Sequence, residues 1–532
     1  MTAPAPGWTR RAPVDLPGPE GDNSIAREPL WYAYGRGVDH PEPPPWTWAS
    51  TPPPDTHVPP PPPRPAGPST TLPLGTTARL SAVPYPHVPA RRRTAAEPDA
   101  LAHALTTAFA PLRREPENPY NEHRPYASPR CLFPVHAFVG GDGGAWRLLE
   151  PARHALTGPP PAAGAPTTRI ALTGRYTAIP SAYQWFRGSL VAIELGMVLR
   201  ALSLGLELFG IPATLTPPGG RARGLLREAG LEHTWEWSLP WLVETAGGPA
   251  SGPGCVPGPG SVPGPGPGYS GADATAPEEP VPEEPVPAGD PSLTDVVHAN
   301  RNQTYGTAAA PLTTAVPSAL PASRVAPDWA ELLWLRHSGR MPRGLHGMVS
   351  AARHAPLSAD DLATAVAWLG VPPPHPALAA AFEAVTVTAV TQHVEGLAAG
   401  VHRLHDGAAH LVRADPTAPA GLEANYGYGL SPVNGCGVAK APLTVFFSVR
   451  PRELFARFGP TGWGAAQHAC GWAVHGLCLA AAASGLFARP VRAFKEIPTK
   501  DVIGLGEDET IVLSAVVGVP RETGGPVLDL RL

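Results

Sequence analysis

The sequence predicts an α+β protein in which one domain is built twice, giving two three-layer sandwich halves that form an intrachain pseudo-dimer. Three observations carry this: an internal repeat, short β-rich runs in both halves, and a Pro/Gly-rich break between them.

The repeat is the most informative feature. Residues 194–213 (ELGMVLRALSLGLELFGIPA) and 469–488 (ACGWAVHGLCLAAAASGLFA) align without gaps at an offset of 275, pairing Gly196 with Gly471, Leu202 with Leu477 and Gly210 with Gly485. Each reads as a long apolar helix closed by a C′ glycine and followed by an extended run. Helices apolar nearly all round must be buried, and a duplicated domain can bury them against one another. A second match, 143–156 with 399–411 at an offset of 256, pairs Arg147 with Arg403 and His154 with His410, in the same order in both halves. Strand-like runs at 135–139 and 169–173 complete the first half; 385–390, 443–449 and 511–519 complete the second.

Residues 1–75 are dense in proline and predict an extended arm. About half of residues 247–292 are Pro or Gly, which predicts a linker. The expected organisation is therefore an arm at 1–75, a half at 76–246, a linker at 247–292 and a second half at 293–532.

Composition excludes several classes. A net charge of −4 with no long basic face argues against a nucleic-acid partner. Five scattered cysteines without a CxxC pair suggest neither a disulfide scaffold nor a structural zinc site. The longest apolar stretch, 473–488, contains His475 and Ser484 and is too short to span a bilayer. With no apolar signal region at the start, the expectation is a soluble cytoplasmic protein with no membrane partner. His468, Cys470, His475 and Cys478 look metal-like, but Cys470 and His475 lie about 140° apart on a helix, so no metal site is expected. The glutamates at 278, 279, 283 and 284 read as a solubilising run in the linker.

No dinucleotide fingerprint, P-loop or nucleophile elbow occurs. An anion signature does: Arg336-His337-Ser338-Gly339-Arg340 follows the amphipathic run DWAELLWL, and two guanidiniums with a hydroxyl can converge on one phosphate.

With these pieces in place, the chain resembles the flavin-dependent nitroreductase superfamily, and within it the azoline dehydrogenase branch of ribosomal, thiopeptide-like peptide biosynthesis. The resemblance rests on Arg336/Ser338/Arg340, the turn VEGLAAGVHRL (394–404), the long helix ending AAASGLFARPVRAF (481–494) and the terminal VIGLGEDETIVLSAVVGVP (502–520). In the first half, residues 127–134 (ASPRCLFP) resemble the flavin-ring loop PSxGxxxP, keeping Ser128 and Pro134 around Pro129, with Ala127 and Arg130 in place of Pro and Gly. The resemblance covers about 380 residues and implies tandem nitroreductase-like domains binding FMN. In the family one subunit's R-x-S-x-R holds the phosphate and the other's loop cradles the ring. Here the second half keeps the phosphate motif without a recognisable ring loop; the first keeps a ring loop, and its Arg91-Arg92-Arg93-Thr94 does not fit the phosphate motif. One composite site per chain is expected. The resemblance also carries Pro490, Val491, Arg492 and Ala493 past the ring, with Arg492 facing its anionic reduced form.

Azoline dehydrogenases use a Lys-Tyr pair about 13 residues before the helix glycine. Counting back from Gly471 gives Arg457-Phe458, and from Gly196 gives Ala182-Tyr183, so Tyr183 is the expected acid/base group. The implied activity is oxidation of thiazolines or oxazolines to azoles in a precursor peptide, alongside a cyclodehydratase or other peptide-modifying enzymes, the pseudo-dimer itself being able to assemble further. Two alternatives stand beside it: an NAD(P)H-dependent reductase of dehydroamino acids or enones, and a flavin-free scaffold.

Overall fold

The computed structural model describes residues 61–89, 99–246, 290–339, 351–426 and 437–532, apart from short breaks at 117, 119, 142–144, 161–166, 184–185, 232–233, 302, 304, 307, 493, 495, 507 and 522–523. Most of the proline-rich arm and nearly all of the linker lie outside the described residues.

The first half begins with β1 (Ser69–Thr71), α1 (Thr76–Ser81), α2 (Ala100–Phe109) and β2 (Arg113–Arg114), then β3 (Val135–Gly141), β4 (Trp146–Glu150), β5 (Ala155–Thr157) and β6 (Thr167–Gly174). The long helix α3 (Phe186–Leu208) leads to β7 (Ala213–Thr216) and β8 (Trp241–Ala246). The second half supplies β9 (Ala310–Pro311), α4 (Trp329–Leu335), β10 (Ala352–Arg353), α5 (Ala359–Leu369), α6 (Pro376–Glu383), and β11 to β13 (Thr386–Thr391, Gly400–His405, Ala408–Ala414). It ends with β14 (Leu443–Val449), α7 (Pro451–Phe458), the long helix α8 (Thr461–Ala483), β15 (Phe487–Val491), β16 (Thr510–Pro520) and β17 (Leu528–Asp529).

The repeat is real in three dimensions. Adding 275 to the bounds of α3, 186 and 208, gives 461 and 483, the bounds of α8. Both helices close alike: Gly210 (φ 67°) and Gly485 (φ 68°) adopt the left-handed conformation that glycine enters without steric cost. Ile211 N–H then reaches Leu206 O, and Leu486 N–H reaches Ala481 O, each at 2.8 Å, the double-bonded Schellman closure. The sheets agree as well. The first contains the order β5-β4-β3-β6-β8-β7, and the second runs β13-β12-β11-β14-β16-β15, every adjacent pair antiparallel. The second sequence match falls on the hairpins β4–β5 and β12–β13, although His154 closes a turn (φ 51°) while His410 lies within a strand.

The long helices cross at the centre of one continuous core. A Cβ on Gly196 would lie 2.0 Å from His468 O, and one on Gly471 would lie 2.0 Å from Ile193 O. Ile193 and His468 are themselves 275 apart, so the contact is isologous, each side presenting the same residues to the other. Both crossing positions need glycine because backbone meets backbone. The structure corrects one expectation: α3, rather than 473–488, has the length and apolarity to cross a membrane, yet 94% of its most apolar window is buried inside the protein.

The halves also exchange short strands. β9 extends the first sheet beyond β7, and β17 at the C-terminus pairs with β2. β1, in the last residues of the expected arm, pairs with β5 at the edge of the first sheet.

Candidate functional site

The phosphate motif begins where α4 ends. Asp328 caps that helix, its side chain accepting the Glu331 N–H at 2.9 Å. At its C-terminus Arg113 of the first half donates to the carbonyls of Trp334 (2.5 Å) and Arg336 (3.1 Å), cationic donors on orphan carbonyls. Arg336 is buried, and its guanidinium donates to the backbone oxygen of Arg124, again in the first half. Ser338 is half-buried; its carbonyl and that of Gly339 accept from Arg489, and His337 O accepts from Ala488 N. Arg340 lies outside the described residues.

The ring loop stands opposite. Ser128 Oγ donates to Glu194 Oε2 of α3 at 2.6 Å and accepts Phe133 N–H at 2.8 Å, which folds the loop over itself. Pro129 to Cys131 form a tight turn in which Arg130 and Cys131 both have positive φ, 50° and 55°. Arg130, standing where the family's glycine is expected, has φ 50°, so the left-handed backbone persists under an arginine. Its exposed guanidinium sits 5.4 Å from the ring centre of Tyr183, which lies just before α3. Across the interface, Arg492 lies 5.8 Å from the ring of Phe186 at the start of α3 and is tied to Glu496 at 3.0 Å, so its charge is already matched. Pro490 and Val491 pair with Ala515 and Ser514 in the second sheet, and Ala493 lies outside the described residues.

The structure therefore brings Arg336, Ser128, Arg130, Tyr183 and Arg492 to the seam between the halves. It separates Arg457-Phe458 from them: Arg457 faces Glu383 of α6 at 3.4 Å and covers Phe458. Because 183 plus 275 is 458, Tyr183 and Phe458 occupy equivalent positions on opposite sides of the pseudo-twofold.

Several site residues escaped sequence reasoning. Around Arg336, buried polar atoms lack a hydrogen-bond partner among the described residues: Nε and Nη1 of Arg336, Nε of Arg124, the Tyr126 hydroxyl, Oε1 of Glu194 and both ring nitrogens of His475. Native interiors leave few such atoms, so a cluster marks a place built for something else. Burial, and secondarily the neighbouring Arg113, pull the Arg336 guanidinium down to about 10. Burial pushes the Glu194 carboxyl up to about 8, against its bond from Ser128. Burial raises the Tyr126 hydroxyl, and raises the Cys131 thiol to about 11 with Arg336 and Arg124 opposing. The His475 imidazole is held well below its usual range by burial and then by Arg200 and Arg336, so it is neutral. Glu194, a lone carboxylate early in an apolar helix, was the one legible signal.

The equivalent position across the pseudo-twofold is filled. Ala82-Val83-Pro84-Tyr85 follows α1 where Arg336-His337-Ser338-Gly339 follows α4, and α6 precedes β11 where the ring loop precedes β3. The counterpart of His475 is Arg200, fully buried and donating to Trp472 O (2.9 Å), Ala315 O (2.9 and 3.2 Å) and Trp368 O (3.1 Å) between the rings of Trp368 and Trp472. Tyr85 bonds Trp368 Nε1 at 3.3 Å. Unmatched atoms are not confined to the Arg336 side: Nε2 of His468 and Nε1 of Trp241 also lack a hydrogen-bond partner among the described residues. The metal-like quartet does not converge: His468 packs on Trp241 and Tyr305, while Cys478 reaches Ala488 O.

No protein-family model matches the sequence, and no curated protein matches it. Among solved structures, a protein described as a nitroreductase from Anabaena variabilis aligns with a TM-score of 0.57 and 14% identity, over 79% of this chain and 88% of that one. A chain of the E. coli microcin synthetase McbBCD complex aligns over 33% of this chain and 69% of its own at 13% identity, and a Ralstonia eutropha protein described as a nitroreductase over 36% and 82% at 19%. Their TM-scores of 0.28 and 0.27 add nothing to the argument. The likeness to the Anabaena protein spans both halves, and it establishes that this chain has the nitroreductase fold.

Proposed function

We propose that the protein is an FMN-dependent oxidoreductase, and specifically a dehydrogenase that converts thiazolines or oxazolines in a ribosomally made peptide to azoles. The observation that carries the flavin reading is the cluster of unpartnered buried guanidinium donors at Arg336 and Arg124, beside a ring loop from the other half. The residues fit the cofactor's phosphate end, because N–H donors without acceptors suit a dianion. Arg336, Ser338 and Arg340 would hold that phosphate, while the 128–130 turn and the 490–493 run would flank the ring. Bound FMN supplies the hydride acceptor. Tyr183 assists transfer of the azoline Cα proton at its Oη, with the Arg130 guanidinium 5.4 Å from its ring centre. The substrate loses the Cα hydrogen as a proton and the Cβ hydrogen as a hydride, and the new double bond completes the aromatic ring. The azoline specificity rests on the sequence motifs. Placement of Phe458 at the filled side supports reading its departure from tyrosine as loss at a site no longer used.

A single assay separates the readings. Loss of two mass units from an azoline peptide without nicotinamide supports the dehydrogenase. Gain of two mass units by an enone with NAD(P)H supports the reductase, and no flavin after reconstitution leaves the scaffold.

A further inference from the structure

Arg336 does not face the seam alone. Arg113, Arg124 and Arg336 gather there, and the nearby carboxylates are largely committed: Glu115 to Arg113 (3.1 Å) and His123 (3.6 Å), Glu122 to Arg114 (2.9 Å) and Arg124 (3.5 Å). Glu194, pushed up by burial, is mostly uncharged at neutral pH. The buried guanidinium of Arg336 has no carboxylate partner among the described residues, and such a charge is costly unless an anion accompanies it. The Cζ of Arg124 lies 4.0 Å from the centre of the Phe133 ring, and its own carbonyl is bound by Arg336. Its Nε is buried without an acceptor, as are Nε and Nη1 of Arg336, and the buried Tyr126 hydroxyl lies beside the Arg124 guanidinium.

We infer that Arg124 is a second phosphate ligand contributed by the first half, with Tyr126 as a neutral donor, so that one phosphate is clamped between the halves by Arg124 and Arg336. The bearer of that phosphate rests on the flavin reading; the clamp itself does not. The phosphate thereby bolts the pseudo-dimer together, and its binding stabilises the interface as well as the cofactor.

The test uses the full-length protein stripped of cofactor, with FMN, riboflavin and inorganic phosphate as probes. Arg124→Gln removes the charge and leaves a shorter polar side chain beside Phe133. FMN affinity should fall about 10- to 100-fold in Arg124→Gln. Riboflavin, which has no phosphate, should bind wild type and variant alike. Millimolar phosphate should raise the melting temperature of wild type and not of the variant, and Arg124→Lys should recover part of both effects. Unchanged FMN affinity in Arg124→Gln, or equal loss of FMN and riboflavin, overturns the clamp, the second outcome making Arg124 a loop support. An Arg124-dependent phosphate shift without flavin binding upholds the clamp and sinks the flavin reading. Binding of neither phosphate nor FMN by wild type overturns both.

Discussion

Gly196→Ala puts the pseudo-dimer under direct strain. The new Cβ would lie 2.0 Å from His468 O and 2.8 Å from its carbonyl carbon, against an ordinary separation of about 3.5 Å, so the helices must part by roughly an ångström or more. The obstacle is backbone in mid-helix and cannot rotate away. Overpacking that side chains can absorb costs about 1–3 kcal/mol; this clash should exceed that range at about 4. Alanine's helix preference over glycine returns about 1 kcal/mol, leaving a net loss of about 3. Gly471→Ala should cost about the same, since its Cβ meets Ile193 O at the same 2.0 Å. The double variant should lose less than the sum, because one separation relieves both contacts. Gly224→Ala, on a helix where an added Cβ meets nothing within 4 Å, is the control and should gain up to about 1 kcal/mol. Urea unfolding measures all four. A Gly196→Ala protein within about 0.5 kcal/mol of wild type would refute the isologous crossing.

Other outcomes follow from the site. Arg336→Ala should weaken FMN retention by one to two decades, each charge-assisted contact contributing about 1.5–3 kcal/mol, whereas His337→Ala should do little; equal loss in equilibrium dialysis would point to misfolding of the turn. Tyr183→Phe should leave flavin content intact and slow substrate-dependent flavin reduction at least about tenfold, while Phe458→Tyr, on the filled side, should leave the rate unchanged; stopped-flow traces decide. Glu194 has a folded pKa of about 8, above its unfolded value of 4.5, so its favourable contribution is complete below about pH 4.5 and is lost as pH rises through 8. Glu194→Gln should therefore match wild type in melting temperature near pH 5 and exceed it near pH 9, and parallel pH profiles would contradict the buried carboxyl.

Much of this architecture is legible in the sequence because its signals are periodic or conformational. The 275-residue offset survives into identical helix bounds because both helices fill the same central slot, and Gly210 and Gly485 mark their ends because only a left-handed residue closes them this way. β9 and β17 left no trace, since two-residue strands carry no alternation and their partners lie in the other half. The substitution at 130 reads in sequence as loss of the loop's glycine, yet the backbone keeps its left-handed turn under arginine. Arg124, Tyr126 and His475 belong to no spacing motif; they share a site only because the seam folds the 124–131 loop against α4 and α8. The filling of the mirror site by Arg200 was hidden for the same reason, an arginine in an apolar helix revealing its partners only when the segment at 315 and the carbonyls at 368 and 472 surround it.

One composite cofactor site is expected per chain, its phosphate held on the Arg336 side of the pseudo-twofold, with Arg200 occupying the position equivalent to His475 on the other. The most direct measurement reconstitutes the full-length protein with excess FMN, removes what is unbound, releases the remainder by denaturation and counts flavin against protein. A ratio near one is the expected result; a ratio near two, or none, contradicts the account.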